Sequence, residues 1–350
     1  MTKRLTLSLL VPCFNEERSL EASLLSCLNQ TRVFDQIVFV DDCSNDNTAQ
    51  ILARYRGAIT AVRTPHNTGN KSSAQEYGLQ FVTGDILVTT DADTLLHPRF
   101  AERIEEDFAH PHVAAVAGYV ESLPYNWLTL CRAYYYVIGQ DIHKIAQHYL
   151  NYIFVMPGAA SAFRTDVFRT HITFDHDTIT EDLDFTYKLH RNDLQILYDR
   201  RAISYTQDPT TLSDYVNQMR RWYSGGWQNL VKHIAVVDHP QRALELSLIY
   251  IEGLAFSFLI LILPIINPVV ALQVMAGYLV IVSLFALWAA IISKRADILL
   301  APIPFLLLMY VNAWIFLETF VKEIIMRRRT LIWFKPGRTD IPVAQGRPIL

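Results

Sequence analysis

The stretch Leu5-Thr6-Leu7-Ser8-Leu9-Leu10-Val11, followed by Pro12, predicts a buried β-strand at the beginning of the chain. Strand and helix patterns alternate after it, with helical spacing at 16–28, 49–56, 72–82 and 124–150 and strand-like runs at 36–40, 59–62, 85–89 and 113–117. Such alternation predicts an α/β fold in which helices cover both faces of a mainly parallel sheet.

The bulk composition allows about two domains. At 350 residues and 51% hydrophobic, the chain can bury a sizeable core. Residues 241–350 hold ten Lys or Arg and six Asp or Glu, so the net charge of −3 leaves −7 for residues 1–240. An acidic domain argues against nucleic acid as a partner, because neutralising phosphates requires a basic surface. Four cysteines without metal-ligand spacing suit a reducing compartment: Cys13, Cys27, Cys43 and Cys131.

The second part of the chain is apolar enough for a membrane. No charged residue occurs from Gly253 to Ser293, and a second uncharged run follows at 298–317. Both exceed the roughly 18 apolar residues that mark a membrane span. We therefore expect a transmembrane region at 241–326, with helices at about 244–266, 269–292 and 298–322. The alternative, a buried core hairpin, would need a larger surrounding domain.

The membrane orientation follows from the beginning of the chain and from its basic tail. No secretory signal opens the sequence, so residues 1–240 are expected in the cytosol, on a multi-pass protein of the cell (inner) membrane. Three crossings would place the basic run of the tail 327–350, Arg327-Arg328-Arg329, on the far side, against the positive-inside bias. Either one span is re-entrant or interfacial, with the Pro302/Pro304 segment as the candidate, or the bias fails here.

Acidic pairs follow two of the predicted strands. Asp41-Asp42 and Asp91-Ala92-Asp93 both stand where parallel strands end, which is the edge at which ligands bind in such sheets. Neighbouring clusters of Asp repel one another unless a cation lies between them, and oxygen ligands suit Mg²⁺ or Mn²⁺ with a nucleoside diphosphate. The alternative is that these residues cap loops. Lys71, at the opening of the next helix, is placed to meet the same phosphates, unless its Gly69 loop serves only a turn.

The segment from Leu212 to Ile234 has the three-and-four spacing of an amphipathic helix. Gln218, Arg221 and Trp222 share one face of it. A guanidinium and an amide beside a large ring suggest a binding surface, and an amphipathic helix lying on a membrane or a core is the alternative.

Taken in order, four motifs in this chain resemble those of membrane-bound family 2 glycosyltransferases. They are Asp41-Asp42, Asp91-Ala92-Asp93, Thr180-Glu181-Asp182 and Gln218-Met219-Arg220-Arg221-Trp222, similar to the D, DxD, ED and QxxRW set of cellulose, chitin, hyaluronan and poly-N-acetylglucosamine synthases. The stretch 177–190 is most similar to the poly-N-acetylglucosamine synthases. The resemblance implies a GT-A fold and inverting transfer from a UDP-sugar.

The resemblance also implies roles for individual residues. Asp182 is the expected base, with Glu181 beside it, because inversion needs one group to take the proton of the acceptor hydroxyl. Asp93 would hold Mn²⁺ or Mg²⁺. Asp42 would hold the uridine, and the nucleotide-sugar would contact Pro12, Glu16, Lys71 and Asp91. The diphosphate would be bound by Gln218 and Arg221, and the acceptor sugar by Trp222.

We therefore expect a processive enzyme that transfers a sugar from a UDP-sugar to a β-linked glycan at the membrane, and the resemblance implies that this sugar is N-acetylglucosamine. Its partners would be a UDP-sugar, a glycan or lipid-linked acceptor, the bilayer, and an export partner or a second copy of the chain. Two alternatives stay open. One is transfer of a single sugar to a lipid, and the other is an inactive membrane scaffold or transporter with a nucleotide-sugar fold.

Overall fold

The computed structural model describes residues 4–234, 243, 246–331, 334–341, 343–344 and 347–348. The expected domain boundary at 240–241 and the first two residues of the expected span 244–266 lie outside the described residues, as does part of the tail 327–350.

One mixed sheet forms the centre of residues 4–234, the part of the chain expected to be catalytic and called the catalytic part below. Its eight strands are β1 Leu7–Cys13, β2 Gln36–Asp41, β3 Thr60–Arg63, β4 Ile86–Thr89, β5 Thr94–Leu96, β6 Val113–Ser122, β7 Ser161–Arg164 and β8 Gln195–Thr206. They lie in the order β3-β2-β1-β4-β7-β6-β8-β5. The pairs β2–β3, β1–β2, β1–β4 and β6–β8 are parallel, which confirms the mainly parallel sheet. The strands β7 and β5 run antiparallel to their neighbours.

Helices cover both faces of this sheet, because its central strands are apolar on both sides. In β1, Leu7, Leu9 and Val11 pack into one core while Leu10 packs into the other. The helices of this part are α1 Leu20–Leu28, α2 Thr48–Arg54, α3 Lys71–Leu79, α4 Phe100–Asp107, α5 Trp127–Ile138, α6 Ile145–Tyr149, α7 Thr165–His171 and α8 Glu181–Arg191, and α9 Leu212–Lys232 packs against α8.

Two helices differ from the sequence-based expectation. The helix expected at 16–28 begins only at Leu20, because Glu16 is held in a turn by a hydrogen bond from its backbone N–H to Thr48 Oγ1 (2.8 Å). The long helix expected at 124–150 starts at a capping box formed by Asn126 and Thr129. It then contains a π-helical turn at Gly139–Lys144 before α6 completes it. Such turns widen a helix locally and are common at functional sites.

Three further helices follow the catalytic part. They are α10 Gly253–Ile266, α11 Pro268–Ser293 and α12 Pro302–Phe320. Together with the π-turns Leu248–Glu252 and Val321–Ile325, they give three helices that are long and apolar enough to cross a membrane. Asn267 separates α10 from α11, and its side chain caps α11 by accepting from the N–H of Val270 (3.1 Å).

Candidate active site

A cavity of about 670 Å³ opens at the carboxyl ends of the central strands and continues toward the C-terminal helices. All eleven residues predicted for the site line it: Pro12, Glu16, Asp42, Lys71, Asp91, Asp93, Glu181, Asp182, Gln218, Arg221 and Trp222. The sequence motifs therefore converge in space, although they are up to 210 residues apart along the chain. Their proximity does not assign their roles, so each is described by its own contacts.

Asp42 lies buried at the end of β2 and organises the loop that follows β3. Its carboxylate accepts hydrogen bonds from Thr64 Oγ1 (2.9 Å), from Thr68 Oγ1 (2.9 Å) and from the N–H of Thr68 (3.0 Å). These bonds fix the rim of the cavity next to Asn70, whose side chain caps α3 by accepting from the N–H of Ser73 (2.8 Å). Asp42 thus fixes the shape of this wall of the cavity.

Lys71, at the first turn of α3, joins two acidic motifs. Its ammonium lies 2.5 Å from Asp91 Oδ1 and 3.1 Å from Glu181 Oε1. Burial works against the charge, but the Asp91 and Glu181 carboxylates hold the pKa of Lys71 above its usual value. A β-carbon on Gly158 would lie 2.7 Å from this ammonium and 3.8 Å from Asp182, so a side chain at this position would displace the ammonium.

Two cations from the tail that follows α12 line the end of the cavity near Glu16 and Asp93, which is called the donor end below because the sugar donor is expected there. Lys335 Nζ lies 2.9 Å from Glu16 Oε1 and donates to the carbonyl oxygens of Phe14 and Asn15. Arg338 forms an ion pair with Asp93 and lies 3.6 Å from Glu16 Oε2. Burial raises the pKa of Asp93 to about 6, while Arg338 opposes this shift.

Asp182 lies buried in the first turn of α8, close to charges of both signs. Burial raises the pKa of Asp182 to about 6, with Glu181 acting in the same direction and Lys71 and Arg221 against it. A carboxylate with such a pKa is ionised at neutral pH and is basic enough to accept a proton. The N-terminal end of α8 provides partial positive charge that favours the ionised form.

One face of α9 forms the side of the cavity next to Asp182. Gln218 is buried, and no hydrogen-bond donor among the described residues reaches its Oε1 atom. Trp222 is held from behind by Arg132, whose guanidinium carbon lies 4.6 Å from the ring centroid. Arg132 itself is fixed by Asp208, to which its Nε donates at 3.0 Å. The ring of Trp222 is therefore held in a fixed position on the wall of the cavity.

Residues of α9 also hold the short loop at 179–180 that precedes Asp182. Asn229 donates to Thr180 Oγ1 (3.0 Å), and Gln228 accepts from the N–H of Ile179 (3.0 Å). A β-carbon on Gly225 would collide with the Thr180 side chain. Polar residues on the buried face of α9 thus couple the ED and QxxRW motifs.

Lys144 lines the cavity at the end of the π-turn. Its side chain is 8% exposed, its ammonium lies 5.7 Å from the ring centroid of Tyr198, and no described carboxylate is within ion-pair distance. Burial lowers the pKa of Lys144 to about 7, although the Asp182 carboxylate acts against this. This residue was absent from the sequence prediction.

A second group of acids lies outside the cavity and is balanced by lysines. Carboxylate oxygens of Asp175, Asp177 and Asp184 lie within 4.8 Å of one another. Lys232 Nζ reaches all three at 2.5–2.8 Å, and Lys188 Nζ reaches Asp175 (2.8 Å) and Asp184 (2.7 Å). Two ammonium groups already offset most of the charge of these three carboxylates, so we retain Asp93, which lines the cavity, as the expected metal ligand.

Sequence reasoning missed Arg132, which contacts the Trp222 ring, and three further residues that line the cavity: Lys144, Lys335 and Arg338. For the last two, a signal is visible in retrospect, because the Pro336-Gly337 turn presents one cation on each side. For Arg132 and Lys144 the helical pattern gave none, since charged residues on a helix usually face solvent.

Comparison with known proteins agrees with this geometry. Residues 8–171 match the family model of glycosyl transferase family 2. The chain is 28% identical over 241 residues to a poly-beta-1,6-N-acetyl-D-glucosamine synthase of Staphylococcus epidermidis and 24% identical to one of Staphylococcus aureus (strain COL). Each alignment covers 65% of this chain and 56% of the relative, so the chain spans about half the length of the curated relatives it matches.

A solved structure shows the same fold over most of the chain. A mannosyltransferase from Pyrobaculum calidifontis, in complex with GDP-Man and Mn²⁺, superposes with a TM-score of 0.62 at 19% identity and covers 93% of this chain and 89% of that one. The fold and the cavity therefore define a GT-A transferase architecture with C-terminal apolar helices. Residues 8–171, slightly less than half of the chain, are similar to glycosyl transferase family 2, and the chain is also similar to poly-beta-1,6-N-acetyl-D-glucosamine synthases.

Proposed function

We propose that this protein is a processive, inverting glycosyltransferase that adds sugars from a UDP-sugar, with UDP-N-acetylglucosamine as the first candidate, to a β-linked glycan at the cytosolic face of the membrane. The observation that carries the proposal is the meeting of Asp182, Asp93 and Arg221 in one cavity. The staphylococcal relatives, which are poly-beta-1,6-N-acetyl-D-glucosamine synthases by name, support the choice of sugar and of a polymeric product.

Asp182 is the proposed base of the transfer. The acceptor hydroxyl oxygen bonds to the anomeric carbon while the bond from that carbon to the diphosphate oxygen breaks, and UDP leaves with the electron pair. Asp182 takes the proton of the hydroxyl. A single displacement of this kind inverts the anomeric configuration, and it requires the hydroxyl to be held in line with the breaking bond.

Cations at the donor end would stabilise the leaving diphosphate. Arg221 offers a fork that matches phosphate oxygens, and the free Oε1 atom of Gln218 would accept from a donor group of the bound substrate. Asp93, with Asp91 near it, would hold Mn²⁺ or Mg²⁺. The residues fit such an ion, because Asp91 and Asp93 both line the cavity with carboxylate oxygens, and the ion would take the place that the guanidinium of Arg338 occupies beside Asp93. When bound, the ion would offset the charge that develops on UDP.

The acceptor side of the cavity is built for a sugar ring and one polar contact. Trp222, fixed by Arg132, provides a flat apolar surface of the kind on which sugars stack. Lys144 provides a hydrogen-bond donor that is not committed to a carboxylate of the described structure, and an oxygen of the acceptor would be its partner. This division supports a donor and an acceptor that approach Asp182 from opposite ends of the cavity.

The proposal is tested by incubating purified protein in lipid nanodiscs with Mn²⁺ and a panel of UDP-sugars, and GDP-mannose for comparison. We expect UDP release with UDP-N-acetylglucosamine and products that lengthen with time. Products that stop at one sugar on a lipid would instead support the single-transfer alternative. No nucleotide release with any donor, equal to that of an Asp182→Asn variant, would contradict the proposal.

A further inference from the structure

The helical segment made of α5, the π-turn and α6 presents one long face to the cavity. The residues that line the cavity along it are spaced by about one turn and include Tyr135, Gly139, His143, Lys144 and Gln147. Positions four residues apart drift by about 40° around an α-helix, but a π-turn takes more residues per turn and reduces this drift. At about 1.5 Å per residue, the face extends roughly 18 Å. We call this face, together with the neighbouring ring of Trp222, the acceptor groove.

The inner end of the acceptor groove lies at the proposed base. Burial lowers the pKa of Lys144, and the Asp182 carboxylate is close enough to oppose this shift. The wall is fixed at this end, because Gln147 Oε1 accepts a hydrogen bond from the N–H of Phe154 (3.0 Å). An acceptor whose hydroxyl faces Asp182 can therefore extend from this end along the groove.

The outer end of the groove carries an aromatic ring that is fixed but not covered. Tyr135 lines the cavity and is 50% exposed. The guanidinium carbon of Arg132 lies 5.4 Å from the centroid of this ring and 4.6 Å from that of Trp222, so the two centroids are at most about 10 Å apart. Arg132 itself is buried. One cation thus holds two rings on the same wall, where each can stack on a sugar unit of one chain.

Between its two ends the groove has room for a chain. Gly139 lines the cavity, and a β-carbon added to it would meet no atom within 4 Å. The backbone does not require a glycine there, since its φ of −62° is that of an ordinary helix. The neighbouring Gln140 is fixed to the sheet, because its Oε1 accepts from the N–H of Val120 (2.8 Å). The lack of a side chain at Gly139 therefore keeps the groove open.

The polar groups of the groove favour a sugar chain over an acyl chain as its occupant. His143 is exposed, and neither it nor Lys144 forms a hydrogen bond or an ion pair with any residue that the structure describes. An acyl chain would leave both groups without partners, which is costly for a buried ammonium. A glycan offers hydroxyl and amide oxygens to these groups and apolar ring faces to Tyr135 and Trp222.

We propose that the acceptor groove binds an oligosaccharide and not a single sugar, with the growing end at Asp182, one unit on Trp222 and a more distant unit on Tyr135. This inference rests on the proposed function and deepens it by assigning a further subsite for the glycan. A chain that contacts both rings leaves the enzyme more slowly between additions than a chain that contacts only Trp222. Tyr135 and the open space at Gly139 are therefore expected to determine which acceptors are extended and how long the products become.

The subsite at Tyr135 is tested with protein in lipid nanodiscs, Mn²⁺, UDP-N-acetylglucosamine and β-1,6-linked N-acetylglucosamine oligomers of one to five units as acceptors. In the wild type, kcat/KM for the acceptor should rise with its length. Tyr135→Ala should reduce the advantage of the longest over the shortest acceptor about tenfold, through KM and not kcat, whereas Tyr135→Phe should retain it because the ring is kept.

The open space is tested by Gly139→Phe, which places a ring in the groove. Gly57→Phe is the matched control, because an added β-carbon there also meets no atom within 4 Å. Both variants should melt at the wild-type temperature. Only Gly139→Phe should shorten the products and weaken binding of a fluorescent five-unit oligomer about tenfold, measured by anisotropy with UDP and Mn²⁺ but no donor sugar. Equal binding by the wild type and Gly139→Phe would overturn the proposal.

The outcomes separate this proposal from the proposed function. No UDP release with any of these acceptors would contradict the proposed function itself. Transfer that is equally efficient at every acceptor length, in the wild type and in Tyr135→Ala alike, would overturn the groove alone. A Tyr135→Ala variant that binds liposomes more weakly but keeps the wild-type length preference would assign the ring to the lipid interface and would also overturn it.

Discussion

Asp182 is a buried carboxylate whose neighbours differ in charge, and its chemistry depends on their balance. Glu181 and burial favour the protonated form, whereas Lys71 and Arg221 favour the ionised form. The result is a group that is ionised at neutral pH and that protonates more easily than a solvent-exposed aspartate. A base of this strength suits the removal of a proton from a hydroxyl during transfer.

The rate of UDP release is therefore expected to fall as the pH drops through about 6, because protonated Asp182 cannot accept the hydroxyl proton. Saturating Mn²⁺ keeps Asp93, which has a similar pKa, occupied during the measurement. Asp182→Asn should lower kcat by about 100-fold or more. A rate that is constant between pH 5 and 7, on the order of one unit either side of this pKa, would argue against Asp182 as the base.

Arg338 and a metal ion are expected to compete for Asp93. Arg338→Gln removes the guanidinium, so the nucleotide-free protein should bind Mn²⁺ about tenfold more tightly, as measured by electron paramagnetic resonance of free Mn²⁺. Arg338→Lys keeps the charge and serves as the control. Equal affinity in all three proteins would mean that Asp93 is not a metal ligand.

At the scale of elements, α9 acts as a support for the catalytic loop as well as a wall of the cavity. Asn229 and Gln228 hold the backbone and side chain before α8, and Gly225 permits the close approach that these bonds need. The position of Asp182 is thus set from a helix that is more than 30 residues further along the chain.

Gly225→Ala is expected to impair catalysis although alanine favours helices. The gain in helix propensity is about 1 kcal/mol, whereas a methyl group against Thr180 should cost about 1–3 kcal/mol and displace the loop. UDP release should fall at least about tenfold, the loss that a 1.4 kcal/mol misplacement produces. Gly277→Ala, where nothing lies near the added carbon, is the control and should keep full activity. Equal rates for the two variants would exclude the proposed support.

The elements that could be predicted from sequence are those with a strong local pattern. The apolar runs of β1 and β2 predicted strands that are buried on both faces. The three-and-four spacing of α9 predicted a helix with one buried stripe. The strand β8 was missed because Asp199, Arg200 and Arg201 interrupt its apolar pattern, and the register against β6 shifts at that place. The strand β5 has only three residues.

The same reasoning explains what was and was not predicted of the candidate site. The four motifs carry unusual groups at strand or helix ends, and the parallel topology brings such ends together. Arg338 and Asp93, in contrast, are 245 residues apart, and they meet only because the chain returns to the catalytic part after the apolar helices α10, α11 and α12. Local spacing holds no information about such a contact.

Considered as a whole molecule, the chain has no covalent cross-link and depends on packing between its catalytic and apolar parts. All four cysteines are free, and three of them are buried. Tyr134 of α5 packs edge-on against Phe305 of α12 (5.0 Å between centroids), and Trp227 of α9 packs against Tyr250, Phe316 and Phe320. Aromatic contacts thus join the two parts on both sides of the cavity.

Reducing agents are therefore expected to leave the rate of UDP release unchanged. In the folded protein a maleimide should label Cys43 first, because the other cysteines are buried and burial raises the pKa of Cys27 and of Cys131 to about 12. Peptide mapping by mass spectrometry after native and denaturing labelling provides the measurement. Rapid native labelling of Cys27 would show that α1 opens readily.

The return of the tail has a practical consequence for anyone shortening this protein. A fragment that stops at residue 234 would keep every recognised motif and yet lose Lys335 and Arg338 from the pocket, together with the apolar support behind Trp227. Removing only α10 and α11 would change the connection that brings those two side chains back to the pocket. The pocket is thus built from two separate parts of the sequence, and cutting the chain at the first apolar helix leaves the pocket incomplete.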